Sequence, residues 1–365
     1  MAVDPLDLVT LGRTSLRVTR LGFGAATIGG LWTEVSDADA IATARHALSM
    51  GIRYVDVAPV YGYGNSERRL GAALASVPRE AVTISTKVGR LLVPRELVTD
   101  AMDVDRQRVD GVEDYYYRGT PPVRPVFDYS ADGVRRSVEA SLIRLGVDRI
   151  DLLFIHDPDN HWTEAISEAY PALERLRSEG VVGGIGVGMN QAAMLERFAR
   201  EGDFDVFLMA NQYTLLDQSG LDGLLPVCEA RGIAVVVGGV FNSGILADPR
   251  PGSRFGYAPA ADALVAHAQR LRDACDRHGV PLKAAAIQFV IAHPAVACVL
   301  AGARNIGHLD EFAALMRHRI PAQLWDELRA EGLLPAHAPT PGGAPTTSTA
   351  PVELARAAAA SEDPG

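Results

Sequence analysis

Cysteine is scarce: the 365 residues contain three, Cys228, Cys275 and Cys298, and no two of them form a C-x-x-C pair. This spacing provides neither a disulfide framework nor a thiolate metal site, and it fits a reducing compartment in which thiols stay unpaired. We therefore expect all three to be small buried side chains.

Excess basic charge and long apolar runs are also absent. The chain carries 35 Lys and Arg against 45 Asp and Glu, a formal net charge of −10. Nucleic acids and anionic membranes attract clustered Lys and Arg, so neither is an expected partner. No apolar run reaches the ~18 residues of a membrane span, and the N-terminal MAVDPLDLVT has neither the basic nor the apolar region of a signal peptide. We expect a cytoplasmic protein that binds a small molecule, and the sequence leaves its oligomeric state open.

The sequence does contain a regular alternation of short Val, Ile and Leu runs with longer stretches of helical apolar spacing, which predicts a parallel sheet with crossover helices. The predicted strands cover residues 20–24, 53–57, 82–87, 150–156, 184–187, 206–211, 233–239 and 297–302. Helices are predicted near residues 37–50, 66–76, 130–146, 163–180, 190–201, 217–231, 260–279, 282–292, 305–318 and 321–332. Eight strand–helix units favour an α/β fold of the (β/α)8 TIM barrel type over an open doubly wound sheet.

Three segments lie outside this repeat. The opening VTLGRTSLRVT has two short alternating runs around GRTS, which predicts an N-terminal hairpin across the barrel floor. Residues 91–129 form a long charged and aromatic excursion after the third strand, on the expected catalytic rim. Residues 336–365 are rich in Pro, Ala and Thr, so we predict a disordered C-terminal tail after a barrel domain of residues 1–335.

Four polar side chains follow or close neighbouring strands: Asp56, Tyr61, Lys87 and His156. Each alone has an ordinary structural explanation, as a turn residue, a rim aromatic, a surface cation and a satisfied core histidine. Active sites of parallel barrels lie at the C-terminal ends of the strands, and strands two, three and four are neighbours. We therefore expect the four side chains to converge on one patch.

The chemistry of these groups predicts a proton-transfer site. A buried cation near a phenol favours the phenolate, so Lys87 is expected to lower the pKa of Tyr61, while Asp56 holds Lys87 charged. A neutral His156 donates a hydrogen bond to the oxygen whose charge changes.

Several motifs resemble the aldo-keto reductase superfamily: YVDVAPVYGYGNSERRLG, ISTKVGR, IDLLFIHDPD, NQYTLLDQ and VLAGARNIGHLDE. The resemblance implies a (β/α)8 barrel that binds a nicotinamide dinucleotide without a Rossmann domain. It assigns the family's catalytic tetrad to Asp56, Tyr61, Lys87 and His156, with hydride passing directly between substrate carbon and nicotinamide. STKVGRLLVP, HDPDNH, GVGMNQ and GGVFNSGIL are similar to sugar 1-dehydrogenases that act on L-fucose and related D-threo-aldoses.

The same resemblance implies the cofactor contacts. Gln212 and Asn190 would meet the nicotinamide carboxamide, although Asn190 stands in GVGMN instead of the family's Ser-Asn pair. Gly238 stands where the family usually stacks an aromatic ring on the nicotinamide, which leaves the stacking partner open. The turn after the seventh strand would wrap the pyrophosphate with its backbone; its residues are Phe241, Asn242, Ser243 and Gly244.

The resemblance also implies that the adenosine end binds at the turn of Gly302, Ala303, Arg304 and Asn305, which opens a helix whose N-terminal amides suit an anion. His308 stands where members that prefer NADP carry an arginine, and a mostly neutral imidazole cannot make that bidentate contact. We therefore expect NAD, with NADP possible through Arg304.

The segment HDPDNH offers two histidines and two aspartates within six residues, as metal-dependent barrel hydrolases do at their strand ends. That class is a separate hypothesis, but strands five to eight end at or directly before Gly188, Asn211, Gly239 and Gly302, none of which is a histidine, so no metal is predicted. The candidates for substrate contact, besides the 91–129 excursion, are Trp32, Tyr63, Asp159 and His161.

These residues lead to one functional hypothesis and several alternatives. The hypothesis is an NAD(P)-dependent oxidation of the C1 hemiacetal hydroxyl of an aldose, such as L-fucose or D-arabinose, to the lactone, with Tyr61 as general base. The alternatives are a pyridoxal 4-dehydrogenase, a general aldehyde or ketone reductase, and a non-catalytic cofactor-sensing subunit.

Overall fold

A closed barrel of eight parallel strands forms the body of the protein in the computed structural model, which describes residues 3–106 and 116–343. The barrel strands are β3 (Leu21–Gly24), β4 (Tyr54–Asp56), β5 (Thr83–Pro94), β7 (Leu152–His156), β8 (Gly184–Met189), β9 (Val206–Ala210), β10 (Ala234–Gly238) and β13 (Val296–Ala301). Each pairs with the next in chain order, and β13 pairs with β3 to close the ring. The predicted barrel is therefore confirmed.

Helices follow the strands and cover the outside of the barrel. They are α1 (Asp37–Ser49), α2 (Asn65–Leu74), α3 (Ala131–Leu145), α4 (Trp162–Glu164), α5 (Tyr170–Ser178), α6 (Ala192–Glu201), α7 (Leu224–Arg231), α8 (Asp262–Arg277), α9 (Leu282–Ile291), α10 (Ile306–Met316) and α11 (Ala322–Ala330). A π-helical turn, Ala165–Ala169, joins α4 to α5. Side chains cap several helix starts: the Ser36 hydroxyl accepts from Asp39 N at α1, and the Ser130 hydroxyl accepts from Gly133 N at α3. Each cap satisfies a backbone amide that has no partner within its helix.

The N-terminal hairpin is present and closes the barrel floor. It consists of β1 (Leu8–Thr10) and β2 (Arg17–Thr19), which pair antiparallel. Leu11 and Val18 are fully buried with inward-facing strand residues such as Phe154. The floor is thus sealed by apolar packing, and the opposite rim is the end that a ligand can reach.

The third barrel strand is longer than predicted. It does not end at Lys87 but continues to Pro94, and its outer half pairs antiparallel with β6 (Val123–Asp128). The change of partner falls at Gly89, whose φ of +103° only glycine adopts readily. The predicted excursion of residues 91–129 therefore begins and ends as a hairpin that rises from the rim, while its residues 107–115 lie outside the described residues.

The part of the predicted tail that the structure describes packs on the barrel. Ala338 is fully buried, and the Arg329 guanidinium donates to Ala338 O at 3.1 Å and to Thr340 Oγ1 at 2.7 Å. Residues 336–343 thus continue the folded body, and the disorder predicted for residues 344–365 falls outside the described residues.

Two further sequence predictions concern burial. Cys228, Cys275 and Cys298 are buried and unpaired, as expected. Within residues 3–106 and 116–343, no helix is both long and apolar enough to cross a membrane.

Candidate active site

A buried ion pair lies at the centre of the barrel rim. The Lys87 ammonium donates to both carboxylate oxygens of Asp56, at 2.9 and 2.7 Å, and to Val57 O at 2.9 Å. Ser85 Oγ adds a fourth hydrogen bond, to Asp56 Oδ1 at 2.7 Å. Burial lowers the pKa of Lys87, and the Asp56 carboxylate opposes that shift. Two charges that are almost wholly excluded from water therefore neutralise each other.

Tyr61 lies beside this pair, in the loop between β4 and α2. The Lys87 ammonium is 4.6 Å from the centre of the Tyr61 ring. The loop packs closely on the turn after β3, where a Cβ on Gly62 would overlap the carbonyl of Gly29. The close approach fixes Tyr61 above the ion pair, as the convergence of the strand ends predicts.

The prediction that Lys87 lowers the pKa of Tyr61 is wrong. Burial raises the pKa of Tyr61 well above its ordinary value, and the Asp56 carboxylate raises it further. The physical reason is that Asp56 already compensates the lysine charge, and that the three ammonium donors are directed at Asp56 and Val57. The protonated phenol is therefore the resting form.

His156 ends β7 and presents its ring to Tyr61, with the ring centres 5.8 Å apart in an edge-to-face arrangement. Burial lowers the pKa of His156 well below its ordinary value, and the charges of Arg90 and Lys87 lower it further. The imidazole is neutral at pH 7, as expected from the sequence.

A second charged cluster beside His156 was missed by sequence reasoning. Arg90, on β5, donates to His156 O at 2.9 Å and to Asp105 Oδ2 at 2.6 Å, and it approaches Asp157 Oδ2 at 3.5 Å. The Asp157 carboxylate also lies 3.3 Å from His156 Nε2. The signal in the sequence was the position of Arg90, three residues beyond Lys87, in a strand that does not end where predicted.

Aromatic rings from three separate loops line the mouth above Tyr61. Trp32, after β3, lies 5.5 Å from the Tyr116 ring and 6.2 Å from Tyr257. Tyr257 belongs to a small hairpin formed by β11 (Arg254–Phe255) and β12 (Ala258–Pro259). Tyr117 lies 6.2 Å from Tyr61. The predicted candidate Trp32 is therefore part of the mouth, with tyrosines that the sequence did not single out.

Tyr63 occupies a different place from Trp32. It is 2 % exposed and packs with Val60 and Tyr117 in a small apolar cluster. Tyr63 thus supports the wall that carries Tyr117, and direct contact between Tyr63 and a substrate stays a prediction.

Side-chain amides gather at the ends of β8 and β9. Asn211 Nδ2 donates to Asn190 Oδ1 at 2.8 Å, and the Gln212 Oε1 accepts from Ala192 N at 2.7 Å at the start of α6. Asn211 has a φ of +65° and a hydrogen bond with Tyr257. Asn190 and Gln212 are thus positioned by hydrogen bonds that occupy their oxygens, and their amide nitrogens are the groups left to meet a ligand oxygen.

The turn after β10 is fixed by Asn242. Its side chain accepts from Thr214 Oγ1 at 2.6 Å and donates to Asn211 O at 2.9 Å. The amides of Asn242 and Gly244 donate within the turn, to Gly239 O and Phe241 O. Of the four residues predicted to contact a pyrophosphate through their backbone, Phe241 and Ser243 therefore remain candidates for donating an amide. The side chain of Asn242 stabilises the turn itself.

The loop after β13 leads into α10 as predicted. Asn305 is the N-cap, and its Oδ1 accepts from His308 N at 3.0 Å. Ala303 is buried and accepts from Thr27 through its carbonyl at 2.6 Å. Gly302 is exposed beside them, and Arg304 is half-buried. The N-terminus of α10 thus faces the rim with His308 exposed in its first turn.

The HDPDNH segment shows no metal-site geometry. His161 Nε2 pairs with Asp103 Oδ2 at 2.9 Å, and its ring packs on Phe127 at 4.5 Å. Asp159 is half-buried in the same loop. In the part of the chain that the structure describes, no three His, Cys, Asp or Glu side chains are grouped so as to hold a metal ion. His161 thus braces the β6 side of the rim, and substrate contacts of Asp159 and His161 stay predictions.

Comparison with known proteins shows similarity to one family over most of the chain. The model of the aldo/keto reductase family matches residues 20–331. A pyridoxal 4-dehydrogenase from Microbacterium luteolum is 42 % identical over 335 residues, 89 % of this chain and 97 % of that protein. A D-threo-aldose 1-dehydrogenase from a Pseudomonas species is 40 % identical over 324 residues, 88 % of this chain and 96 % of its own. The holo form of an aldo-keto reductase from Bacillus halodurans superposes with a TM-score of 0.68 at 25 % identity, covering 91 % of this chain and 97 % of that one.

Proposed function

The chain belongs to the aldo/keto reductase family, and from that premise we propose that this oxidoreductase oxidises the C1 hydroxyl of an aldose to the lactone, with NAD as cofactor. L-Fucose, D-arabinose and related D-threo-aldoses are the proposed substrates, and Tyr61 is the proposed general base. The observation that carries the proposal is the convergence of Tyr61, the Lys87–Asp56 pair and His156 at the rim.

The rim has groups that suit a nicotinamide dinucleotide. The amide nitrogens of Asn190 and Gln212 suit the oxygen of a carboxamide, and the N-terminus of α10 and the turn at Phe241 and Ser243 suit phosphates. The bound cofactor would supply the acceptor for the hydride that leaves C1. We propose NAD rather than NADP because His308, in the first turn of α10, carries an imidazole, which cannot make the bidentate contact of an arginine with a 2′-phosphate.

The protein's own groups handle the proton and the charge. The phenolate of Tyr61 takes the proton of the reacting hydroxyl, and the neutral His156 donates a hydrogen bond to the same oxygen. Because burial raises the pKa of Tyr61, its protonated resting form is the acid needed for the reverse reduction. Oxidation requires the phenolate, so we expect the oxidation rate to rise with pH.

A substrate panel tests the proposed reaction. Purified protein is mixed with NAD or NADP and L-fucose, D-arabinose, L-galactose, D-glucose or pyridoxal, and absorbance of the reduced nicotinamide is followed. Turnover of L-fucose or D-arabinose, with NAD preferred, supports the proposal. Turnover of pyridoxal alone would replace the sugar by the second candidate, which the 42 % identical pyridoxal 4-dehydrogenase favours.

A single substitution tests the role of Tyr61. Tyr61→Phe keeps the ring and removes the hydroxyl, so we expect kcat to fall by roughly 100-fold or more, while the dissociation constant for the dinucleotide is unchanged. Tyr170→Phe is the matched control, because Tyr170 lies on α5 and its hydroxyl contacts Glu174 and Asp203. Full activity of Tyr61→Phe would show that another group moves the proton.

A further inference from the structure

Asp157 is a carboxylate that the proposed reaction leaves unused. It follows His156 directly, and its Oδ2 lies 3.3 Å from His156 Nε2. Its side chain is 29 % exposed, whereas those of His156 and Arg90 are 8 % and 7 % exposed. Asp157 is therefore the most exposed of these three side chains.

The backbone of Asp157 is held in an uncommon conformation. Its φ is +40°, a value that costs free energy for residues with a Cβ and that persists where neighbouring contacts enforce it. Two backbone groups hold this conformation: Asp157 N donates to Gly188 O at 3.0 Å, and the Tyr129 hydroxyl donates to Asp157 O at 2.9 Å. The backbone that carries the carboxylate is thus fixed by hydrogen bonds to neighbouring elements.

Arg90 restrains the carboxylate without enclosing it. The guanidinium is fixed by Asp105 at 2.6 Å and by His156 O at 2.9 Å, and it reaches Asp157 Oδ2 at 3.5 Å. That distance is at the long end of a hydrogen bond. Asp157 therefore keeps capacity to accept hydrogen bonds from a ligand.

The charged and titratable groups around Asp157 set its protonation. Burial raises the pKa of Asp157 to about 6, Arg90 and Lys87 lower it, and Asp159 and Asp105 raise it. His156 contacts it, and the phenols of Tyr61, Tyr117, Tyr129 and Tyr257 lie close enough to respond to its charge. At pH 7 the carboxylate is mostly ionised and acts only as an acceptor.

We propose that Asp157 is a specificity-determining residue, which accepts a hydrogen bond from the substrate hydroxyl on the carbon next to the reacting one. The inference rests on the proposed function and names the substrate feature that the site selects. Vicinal oxygens of a sugar are separated by about one hydrogen-bond length, which matches the separation of His156 Nε2 from Asp157 Oδ2. A substrate whose reacting oxygen meets His156 therefore brings its neighbouring hydroxyl to Asp157.

A site with this carboxylate is expected to disfavour substrates that have no hydroxyl to donate to it. An aldehyde without a neighbouring hydroxyl leaves the carboxylate without its donor. Pyridoxal, whose phenol gives its proton to the ring nitrogen in water, presents an anionic oxygen that the ionised Asp157 repels. A site that binds a hydroxyl in this way discriminates strongly against substrates that lack it.

The test pairs a change in the protein with a change in the substrate. The kcat/KM of L-fucose is compared with that of 2-deoxy-L-fucose in the wild type, Asp157→Asn and Asp157→Gly. Both Asn and Gly tolerate positive φ, so both variants are expected to fold. In the wild type we expect loss of the 2-hydroxyl to lower kcat/KM roughly 10- to 100-fold, as for a hydrogen bond to a charged group.

In Asp157→Gly the two sugars are expected to differ by no more than about threefold, with Asp157→Asn intermediate, because the partner of the hydroxyl has been removed. The KM of L-fucose is expected to rise as the pH falls below 6 in the wild type and not in Asp157→Gly. Asp148→Asn removes a carboxylate from an exposed position after α3 and is expected to match the wild type.

Two results would overturn the assignment. If Asp157→Gly lowers the kcat/KM of both sugars by the same factor, Asp157 acts on folding or positioning and not on the hydroxyl. If the wild type has the same kcat/KM for both sugars, the site does not recognise the 2-hydroxyl. Failure of the wild type to oxidise any sugar would instead refute the proposed function, and this inference with it.

Discussion

The protonation of three neighbouring side chains determines how the site works. Burial acts on Lys87, Tyr61 and His156 in the same sense, because it disfavours each charged form. Lys87 escapes neutralisation because two carboxylate oxygens and a carbonyl accept from it. Tyr61 has no such acceptors, and at His156 burial outweighs the Asp157 carboxylate that lies 3.3 Å from its Nε2. The result is a charged pair beneath two neutral groups, to which the proposed reaction assigns the transfer of the proton and the hydrogen bond to the reacting oxygen.

The neutral state of His156 predicts a pH dependence of stability. The unfolded chain takes up a proton at this histidine below about 6.5, and the folded chain does not, because burial lowers the pKa of His156. The free energy of unfolding that His156 contributes is therefore fully present above pH 6.5 and is lost as the pH falls below it. Between pH 7.5 and 5.5 we expect the wild type to lose about 1.4 kcal/mol more than His156→Asn, measured by urea unfolding.

The loss in the free energy of unfolding is compared between the wild type and His156→Asn because Asp157 also titrates in this pH range. Burial raises the pKa of Asp157 to about 6, so its protonation favours the folded state as the pH falls and opposes the histidine. Asp157 is present in both proteins, and its contribution largely cancels. Equal losses in the two proteins would show that His156 takes up a proton in the folded state.

At the scale of elements, β5 is what joins the two clusters of the rim. Its inner half carries Lys87 in the barrel, and its outer half carries Arg90 into the hairpin with β6. Gly89 lies between them, and a Cβ there would overlap the Tyr129 ring. Tyr129 in turn donates to the carbonyls of His156 and Asp157. The change of partner at Gly89 therefore sets the spacing between the Lys87–Asp56 pair and the cluster of Arg90 and Asp157.

A pair of glycine substitutions tests this role. Gly146→Ala introduces positive-φ strain at a residue with open space around it, and we expect it to cost about 1–2 kcal/mol in the free energy of unfolding. Gly89→Ala adds the clash with Tyr129, so we expect at least about 1 kcal/mol more, with a raised KM. Urea unfolding and steady-state kinetics measure both. Equal losses of stability and an unchanged KM would contradict the role of Gly89.

At the scale of the whole molecule, the folded body extends beyond the predicted domain end. The segment 336–343 covers α11 through the contacts of Arg329 with Ala338 and Thr340. A domain cut after residue 335, as the composition indicates, removes both acceptors and exposes the face that Ala338 covers.

Two truncated chains locate the domain end. We expect the chain that ends at residue 343 to unfold at the same urea concentration as the full chain. The chain that ends at residue 335 is expected to lose about 1–3 kcal/mol, because a partly buried guanidinium loses its acceptors. A chain ending at residue 335 as stable as the full chain would restore the predicted boundary.

The sequence by itself determined the barrel, the floor hairpin and the convergence of Asp56, Tyr61, Lys87 and His156. These follow from local periodicity and from the rule that parallel strands end on one rim, which need no knowledge of distant contacts. Strand order then placed the four side chains together. The polar residues of the HDPDNH segment were likewise visible, but their local spacing did not say which carboxylate lies against the His156 imidazole.

Only the tertiary structure decided the protonation of Tyr61, the backbone conformation of Asp157, the change of strand partner at Gly89 and the packing of residues 336–343. Each depends on groups that are far apart in the chain and meet only after folding, such as Arg90 with Asp157 or Arg329 with Thr340. A pKa depends on the water and charge that the fold removes or brings near. The sequence therefore indicated which residues form the site, while the packing of the folded chain set their protonation states and their contacts.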